Sequence, residues 1–279
     1  MLPVNIVLGM TGAFERATAV QRRGGDLPDR FDAEVAEGWD IAGNANGGYL
    51  LGLAAKAMAD VAGRPPLTVT AHYLAPCPAG PCHVDVAAVR VGRRFATMRA
   101  GLWQGERQIV QVLGTFGDQQ PDDVPSPYQD GSPPAMPSWD DSVVTPMMLV
   151  GGSPLPPLVD KIDLRMRPED RGFRFGHKTG RAEIAGWLGF ADGAPFDAFG
   201  LLFACDAFPP PVFNTDVAPG WVPTVELTVH VRGVPVPGPV RCVFRSRFLH
   251  GRVLDEDGEI WDSADNLVAL SRQLALLPR

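Results

Sequence analysis

The sequence is poor in cysteine, has no excess of basic residues and has no long apolar run. Its four cysteines include no Cys-x-x-Cys pair, which indicates neither a zinc site nor a disulfide framework, and we expect buried free thiols. The 25 Lys and Arg residues against 32 Asp and Glu give a formal net charge of −7, which disfavours nucleic acid and anionic lipid as partners. Because the apolar runs are shorter than the roughly 20 residues that span a bilayer, we expect no membrane partner.

Motifs of several enzyme classes are also missing. The sequence has no Gly-x-Ser-x-Gly elbow, Walker loop or dinucleotide fingerprint, and its five histidines are scattered without a ligand pair. These absences argue against serine esterases, NTPases and Rossmann dehydrogenases, and we predict no metal and no cofactor. The first residues carry no basic region before their short apolar run, unlike a secretory signal. We therefore predict a cytoplasmic protein, with Met10 as an alternative start to Met1.

Prolines and glycines divide the chain into two parts. The densest cluster of the 28 prolines and 31 glycines lies in residues 119–157, and this composition predicts a linker. So long a loop is uncommon inside one compact domain. We therefore predict an N-terminal domain over residues 13–118 and a C-terminal domain over residues 158–279.

Periodicity in the first part predicts one helix and several strands. Apolar residues at helical spacing indicate a helix over Ala45–Val61, with Asn44 or Asn46 as its N-cap. Alternating β-branched and aromatic residues, interrupted by glycine, indicate antiparallel strands. These predicted strands are Phe31–Ile41, Leu67–Leu74, Cys82–Val91, Arg94–Trp103 and Gln108–Phe116. We expect the helix to lie against this sheet.

The second part repeats this order. Its predicted elements are strands Asp160–Met166 and Arg181–Phe190, a helix Phe196–Phe208, and strands Thr224–Arg232, Val240–Leu249, Gly251–Asp262 and Leu267–Leu276. The Gly-Pro pairs at Gly80 and Gly238 each precede a polar strand residue, Thr115 or Gln273, by 35 positions. This repeated spacing suggests a duplication. Hairpin lengths that many antiparallel sheets share are the alternative explanation.

The order of these motifs resembles a known family. The segments that carry the resemblance are Asn46-Gly47-Gly48-Tyr49-Leu50-Leu51-Gly52, His72-Tyr73-Leu74-Ala75-Pro76, Val91-Gly92-Arg93-Arg94-Phe95-Ala96, Trp261-Asp262-Ser263 and Leu267-Val268-Ala269-Leu270-Ser271-Arg272-Gln273. Together they resemble the double-hotdog acyl-CoA thioesterases of type II, the TesB-like group. The resemblance implies an α+β double hotdog with two antiparallel sheets, each wrapped around a long central helix. It also implies that the sheets join edge to edge and that a ligand groove lies between the two units.

The resemblance implies hydrolysis of an acyl-CoA thioester to a free acid and CoA. In this family a water molecule is held by an Asp on the second helix, a Thr on the following strand and a Gln on the last strand. The positions that match are Asp206, Thr224 and Gln273. Hydrolysis needs a base and hydrogen-bonding partners that hold the water in line with the carbonyl, and these three residue types supply them.

Each candidate also has a structural interpretation. A carboxylate at an apolar helix end should have a raised pKa, which suits a base, but Asp206 could instead bond loop N–H groups before the three prolines that follow it. Thr224 lies on the polar set of its strand, where Thr228 is the alternative, and threonine at a strand start is common through propensity alone. Gln273 is either a buried amide with partners or a solvated edge-strand residue.

Further residues are candidates for binding the substrate. The N–H groups near Gly47 and Gly48 could stabilise the oxyanion, because glycine lets a substrate approach the chain, although helix-on-sheet packing explains them equally well. Aromatic candidates for an acyl tunnel are Tyr49, Phe208, Phe213 and Trp221. Candidates for the phosphates of CoA are Arg93, Arg94 and Arg99, for which a solvated strand face is the alternative.

Two other functions compete with hydrolysis. A hotdog hydratase is disfavoured, because the Asp-x-Asn-Pro-x-His motif is missing. A non-catalytic acyl-CoA or lipid-binding protein with the same groove is the main alternative, since fold alone does not separate the two. In either case we expect a homodimer with acyl-CoA as the small-molecule partner.

Overall fold

The computed structural model describes residues 12–24, 29–118, 128–145, 156–218 and 220–277. The elements of the first half are α1 (Ala13–Ala17), β1 (Val20–Arg22), β2 (Asp29–Val35), β3 (Asp40–Ile41), β4 (Asn44–Ala45), α2 (Gly47–Ala62), β5 (Pro66–Tyr73), β6 (Gly80–Val91), β7 (Phe95–Gln104) and β8 (Arg107–Gly117). The elements of the second half are β9 (Ile162–Met166), β10 (Glu183–Phe190), α3 (Ala198–Ala204), β11 (Thr224–Val231), β12 (Val240–Arg245), β13 (Leu249–His250), β14 (Val253–Trp261) and β15 (Leu267–Leu276). Short 3-10 helices cover Pro157–Lys161, Gly172–Phe175 and Pro211–Asn214.

One continuous sheet of 13 strands dominates the described residues. Its order is β1-β2-β6-β7-β8-β5-β11-β15-β14-β12-β10-β9, with β13 paired to β14, while β3 and β4 form a small ribbon of their own. The strands of the two halves thus form one sheet rather than the two that we predicted, because the halves join edge to edge, as the resemblance implies. The edge strands β5 and β11 pair with each other in antiparallel register, and this pairing satisfies the backbone groups that two separate sheets would leave exposed.

The joint between β5 and β11 lies at the middle of the sheet. Val69 is paired with Val229, and the hydroxyl oxygens of Thr70 and Thr228 are 2.8 Å apart. Outward from this joint the two halves run through strands in the same order, β5-β8-β7-β6-β2-β1 and β11-β15-β14-β12-β10-β9. This shared order agrees with the internal duplication that the sequence suggests.

Helix α2 is a buried helix with both ends capped. Asn46 is the N-cap, and its side-chain oxygen accepts a hydrogen bond from the Tyr49 N–H at 2.9 Å. Gly63 ends the helix in the left-handed conformation, with φ of 64°. The predicted helix and its Asn46 cap are therefore confirmed. Ten of the 16 residues are buried, because α2 packs on the sheet and on α3.

Helix α3 differs from its prediction. We expected a long helix over Phe196–Phe208, but α3 covers only Ala198–Ala204. Asp197 caps its start by accepting the Gly200 N–H at 2.7 Å. It ends in a tight turn, in which the Asp206 N–H donates to the Phe203 carbonyl at 3.0 Å, ahead of the prolines at positions 209–211, which could not continue a helix. The expectation of a long central helix in each half is thus wrong for the second half.

The predicted linker is only partly described, since residues 119–127 and 146–155 lie outside the described residues, as does the alternative start Met10. Residues 128–145 include a segment packed against β9 and β10. The guanidinium carbon of Arg165 lies 3.8 Å from the centroid of the Trp139 ring, and the Trp187 indole N–H donates to the Pro137 carbonyl at 3.0 Å.

The four cysteines are buried and free, as predicted. Within the described ranges, none of the helices combines the length and the apolar character needed to cross a bilayer.

Candidate active site

A cavity of about 680 Å³ opens where the amino end of α2 meets the carboxyl end of α3. Both halves of the chain line it. Its polar lining residues include Asn46, Tyr73, Arg174, Asp206, Thr224, Glu256 and Gln273. Its larger apolar lining residues are Ile41, Leu50, Leu74, Leu158, Phe173, Phe208, Phe213, Trp221, Val222 and Phe244. An apolar cleft with a few convergent polar groups is the usual form of a small-molecule site.

Asp206 lies at this helix–helix junction. Its Oδ2 accepts a hydrogen bond from the Gly48 N–H at 2.9 Å and from Asn46 Nδ2 at 3.0 Å. Asn46 Nδ2 also donates to the Asp206 carbonyl oxygen at 2.7 Å. The amino end of α2 therefore fixes both the backbone and the side chain of Asp206. Because this end of the helix dipole is positive, it also stabilises the charged form of the carboxylate.

Two opposing effects set the pKa of Asp206. Burial raises this pKa, because the charged form loses hydration. The hydrogen bonds from Gly48, Gly47 and Asn46 lower it, and the net result is a pKa of about 6. The raised pKa agrees with the expectation from sequence. At neutral pH the carboxylate is ionised but remains a usable base.

Gly47 and Gly48 lie against Asp206 and leave no room for a side chain. A Cβ at Gly47 would lie 2.9 Å from Asp206 Oδ2 and from the Tyr73 ring. A Cβ at Gly48 would lie 2.9 Å from the carbonyl oxygens of Leu202 and Phe203. Close packing of α2 on α3 therefore requires glycine at position 48, and the approach of Asp206 and Tyr73 requires it at position 47. Because the Gly48 N–H is bonded to Asp206, it is not free to stabilise an oxyanion in this structure.

Thr224 and Gln273 meet on the inner face of the sheet. The Thr224 hydroxyl donates to Gln273 Oε1 at 3.1 Å. We expected Thr224 on the polar set of β11 with Thr228, and this is wrong. A register shift between Thr224 and Glu226 inserts a bulge, so that Thr224 pairs with Ala275 on the inner face.

Gln273 and Thr228 have distinct surroundings. Gln273 is buried, with 7% of its surface exposed, whereas Arg272 beside it points to solvent. The interpretation of Gln273 as a buried amide with a partner is therefore confirmed. Thr228 lies at the joint between the halves, where its hydroxyl contacts Thr70 and donates to Glu226 Oε1 at 2.6 Å.

The structure does not bring every predicted binding residue to the cavity. Tyr49 is fully buried in the core; its hydroxyl donates to the Ala17 carbonyl at 2.8 Å and its ring stacks on Trp39. The helical turn that carries Gly47 to the cavity turns Tyr49 toward β2. The three other aromatic candidates all line the cavity; they are Phe208, Phe213 and Trp221.

The arginines predicted for CoA lie elsewhere on the sheet. Arg93 and Arg94 are exposed in the turn between β6 and β7, and Arg99 is exposed on β7. Among the described residues that line the cavity, the basic side chain is that of Arg174. Its guanidinium lies 5.4 Å from the Phe173 ring centroid, and burial lowers its pKa to about 10.

Sequence reasoning missed three polar residues of the cavity. The sequence predicts Asn46 as a helix cap and places both Asn46 and Tyr73 in the motifs of the resemblance, but it predicts neither as a site residue. Among the described residues, the buried Tyr73 hydroxyl has no hydrogen-bond partner. Glu256 lies on β14 with 7% of its surface exposed. Strand alternation could have found it, since Glu256 shares its parity with Leu254, Gly258 and Ile260 rather than with the neighbouring acidic residues.

Two family models together match most of the chain. Residues 35–117 match the acyl-CoA thioesterase N-terminal domain, and residues 121–277 match the acyl-CoA thioesterase C-terminal domain. The chain belongs to the acyl-CoA thioesterase family. The resemblance stated from the sequence motifs is thereby confirmed, and membership of this family supports thioesterase activity.

Solved structures of similar proteins share this fold. A candidate thioesterase II from Thermobifida fusca is 26% identical, with a TM-score of 0.84, and the match covers 97% of this chain and 99% of that one. A protein with a hotdog fold from Alicyclobacillus acidocaldarius is 21% identical, with a TM-score of 0.78 and coverage of 96% and 99%. An acyl-CoA thioesterase II of the TesB type from Mycobacterium marinum is 16% identical, with a TM-score of 0.70 and coverage of 95% and 98%. This member of the acyl-CoA thioesterase family therefore shares its fold with these structures over almost its whole length.

Proposed function

We propose that this chain hydrolyses an acyl-CoA thioester with a water molecule held by Asp206, Thr224 and Gln273. The observation that carries the proposal is that side chains from the end of α3, from β11 and from β15 line one cavity. These side chains are a carboxylate, a hydroxyl and an amide, which together can accept the protons of a water molecule and orient its lone pair. Membership of the acyl-CoA thioesterase family supports the choice of substrate class.

Asp206 is the base in this proposal. Its Oδ2 is occupied by Asn46 and Gly48, so we assign Oδ1 to the water. The water oxygen attacks the thioester carbonyl carbon while Asp206 takes a proton. The tetrahedral intermediate then expels the CoA sulfur, the C–S bond breaks, and the proton returns from Asp206 to the thiolate. A base with a pKa of about 6 is suited to both proton transfers near neutrality.

Thr224 and Gln273 orient the water relative to Asp206. The hydrogen bond between the Thr224 hydroxyl and Gln273 Oε1 fixes both side chains. With its hydrogen directed at Gln273, the Thr224 oxygen keeps its acceptor capacity for the water. The amide nitrogen of Gln273 supplies one hydrogen to the water oxygen. Because the bound water is already oriented, it loses less entropy on attack than a free water molecule would.

The N–H groups of Gly47 and Gly48 have a different role in this proposal from the one that we predicted. Both donate toward the Asp206 carboxylate, and this interaction lowers the pKa of Asp206. We therefore assign them to positioning the base, and the oxyanion role is not part of the proposal. Tyr49, which lies in the core, is not part of it either.

The apolar part of the cavity is proposed to hold the acyl chain. Phe208 and Phe213 lie on its wall, and Trp221, with 49% of its surface exposed, stands where the cavity reaches solvent. Burial of methylene groups against such a wall contributes about 0.8 kcal/mol each. An acyl chain of several carbons would therefore bind more tightly than an acetyl group.

The experiment that tests the proposed function is a thiol-release assay. The purified chain is given a panel of short, medium, long and aromatic acyl-CoAs, and binding is measured in parallel by calorimetry. We expect release of free CoA from at least one member of the panel. Binding without release would instead support a non-catalytic acyl-CoA-binding protein.

The hydroxyl in the proposal has a matched control in the same strand. Thr224→Val removes the hydroxyl that contacts Gln273, whereas Thr228→Val removes one at the joint between β5 and β11. We expect Thr224→Val to reduce kcat and Thr228→Val to leave kcat unchanged. Equal effects on kcat would contradict the role of Thr224.

A further inference from the structure

The cavity contains a second buried carboxyl group, which the proposed hydrolysis does not use. Glu256 stands between Asp255 and Asp257 on β14, yet it belongs to the inward face of that strand. Only 7% of its surface is exposed, and it lines the same cavity as Asp206. A buried carboxyl is costly unless it is neutral or well partnered. The burial of this carboxyl beside Asp206 therefore points to a role in the site.

The partner of Glu256 is Gln273. The two residues are directly opposite each other in the register of β14 and β15. Both side chains lie on the inner face and line the cavity, and the Gln273 amide lowers the pKa of the Glu256 carboxyl, while Gln273 Oε1 accepts from Thr224. The second carboxyl oxygen, Oε2, is buried and has no partner in the described structure. A carboxyl on one side and a hydroxyl on the other thus give the two ends of the amide different partners.

The charges around Glu256 favour its neutral form. Burial, together with the negative charges of Asp206 and Asp257, raises the pKa of Glu256 to about 8, against a smaller lowering by the Gln273 hydrogen bond. Asp206 loses its proton at a lower pH than Glu256. The negative charge of Asp206 therefore opposes the ionisation of Glu256 and raises the pKa of Glu256. Tyr73, which also lines the cavity, stays neutral because burial raises its pKa. At neutral pH the cavity therefore holds one charged and one neutral carboxyl.

We propose that Glu256 is a positioning residue: it holds the Gln273 amide with its oxygen toward Thr224 and its free hydrogen toward the cavity. The effect on hydrolysis rests on the proposed function, whereas the effect on the Gln273 amide does not. Ionisation of Glu256 would place a second negative charge beside the reacting carbonyl, where negative charge develops. The site is thus built to work below the pH at which Glu256 ionises.

The first test reads the Gln273 amide directly and does not need activity. The full chain is labelled with isotopic nitrogen in its glutamine side chains, and the Gln273 resonance is assigned with Gln273→Ala. We expect this resonance to shift with a midpoint near the Glu256 pKa of about 8, and to lose that transition in Glu256→Gln. A resonance that does not titrate, or that titrates equally in Glu256→Gln, would overturn the proposal.

The second test compares the pH dependence of kcat in two variants. Glu256→Gln keeps a neutral partner for Gln273, whereas Glu256→Leu removes it at similar volume. We expect the fall in the parent kcat above about pH 8 to disappear in Glu256→Gln, and kcat in Glu256→Leu to drop roughly tenfold with little change in KM. A kcat in Glu256→Leu equal to that of the parent, with both variants folded by circular dichroism, would contradict the proposal. If the parent hydrolyses no acyl-CoA, the proposed function fails, while the amide titration still decides the role of Glu256.

Discussion

The Asn46 side chain holds Asp206 across 160 positions of sequence, with Asn46 Nδ2 3.0 Å from Asp206 Oδ2. The same side chain caps α2, because its Oδ1 accepts the Tyr49 N–H. One residue in the first half therefore starts the central helix and orients the carboxylate in the second half. The site depends on both halves being folded together.

This double role predicts the behaviour of Asn46→Asp. Aspartate retains the cap, since it also accepts the Tyr49 N–H, but it removes the donor to Asp206 and adds a negative charge beside it. We expect the pKa of Asp206 to rise above its value of about 6, so that the acid limb of kcat/KM moves to higher pH. The measurement is a pH profile of thiol release.

Asn46→Ala is the matched control for the cap. This substitution removes the cap on the Tyr49 N–H as well as the hydrogen bond to Asp206, and it should lower the free energy of unfolding by about 1 kcal/mol. An acid limb in Asn46→Asp at the same pH as in the parent would show that Asn46 does not act on Asp206.

Close packing at Gly48 predicts loss of stability on addition of one methyl group. In Gly48→Ala the new Cβ would meet the carbonyl oxygens of Leu202 and Phe203 at 2.9 Å, and backbone atoms cannot swing aside. We expect a loss of about 1–3 kcal/mol in the free energy of unfolding, as is usual for overpacking. Gly24→Ala is the control, because nothing lies within 4 Å of its Cβ. Urea denaturation measures both, and equal stabilities would contradict the packing account.

The raised pKa of Glu256 predicts how stability depends on pH. The folded-state pKa of about 8 exceeds the ordinary value of 4.5, so between these values the folded state binds more protons than the unfolded state. Stability should therefore fall as pH rises through this window. In Glu256→Gln the fall should be shallower, and the Tm should exceed that of the parent above about pH 8. Thermal melts at several pH values test this, and parallel curves for the two proteins would contradict it.

The position of Arg174 predicts a role in binding the anionic CoA portion of the substrate. Its side chain lines the cavity and keeps its charge at neutral pH. We expect Arg174→Met to raise KM roughly tenfold, the size expected for one charged hydrogen bond, with little change in kcat. Arg93→Met, at an exposed turn, should leave KM unchanged. A raised KM in Arg93→Met together with an unchanged KM in Arg174→Met would contradict this role and place CoA binding at the turn between β6 and β7.

Local sequence signals were sufficient for most strands and for α2. Alternation placed β15 at Leu267–Leu276, and the Asn46 cap followed from residue type and position. Alternation failed at Thr224, because a bulge reverses the face of a residue without leaving a signal in composition. The prolines at positions 209–211 set only an outer limit for the second helix, and α3 ends before that limit, at Ala204.

Contacts between the halves could not be predicted from local patterns. The partner of the Gly48 N–H is 158 positions away, and no periodicity reports such a pairing. The joining of the sheets into one likewise depends on the pairing of β5 with β11. The division into domains at residues 119–157 and the homodimer stay predictions.

The most direct test of the account is the rate of thiol release by Asp206→Asn at neutral pH, on an acyl-CoA that the parent hydrolyses. Asparagine keeps the shape of the side chain but cannot take the proton of the attacking water. The account predicts a rate at least about a hundredfold below that of the parent, as is usual for loss of a general base, with binding of the acyl-CoA retained. Hydrolysis by Asp206→Asn at the parental rate would contradict the assignment of Asp206 as the base.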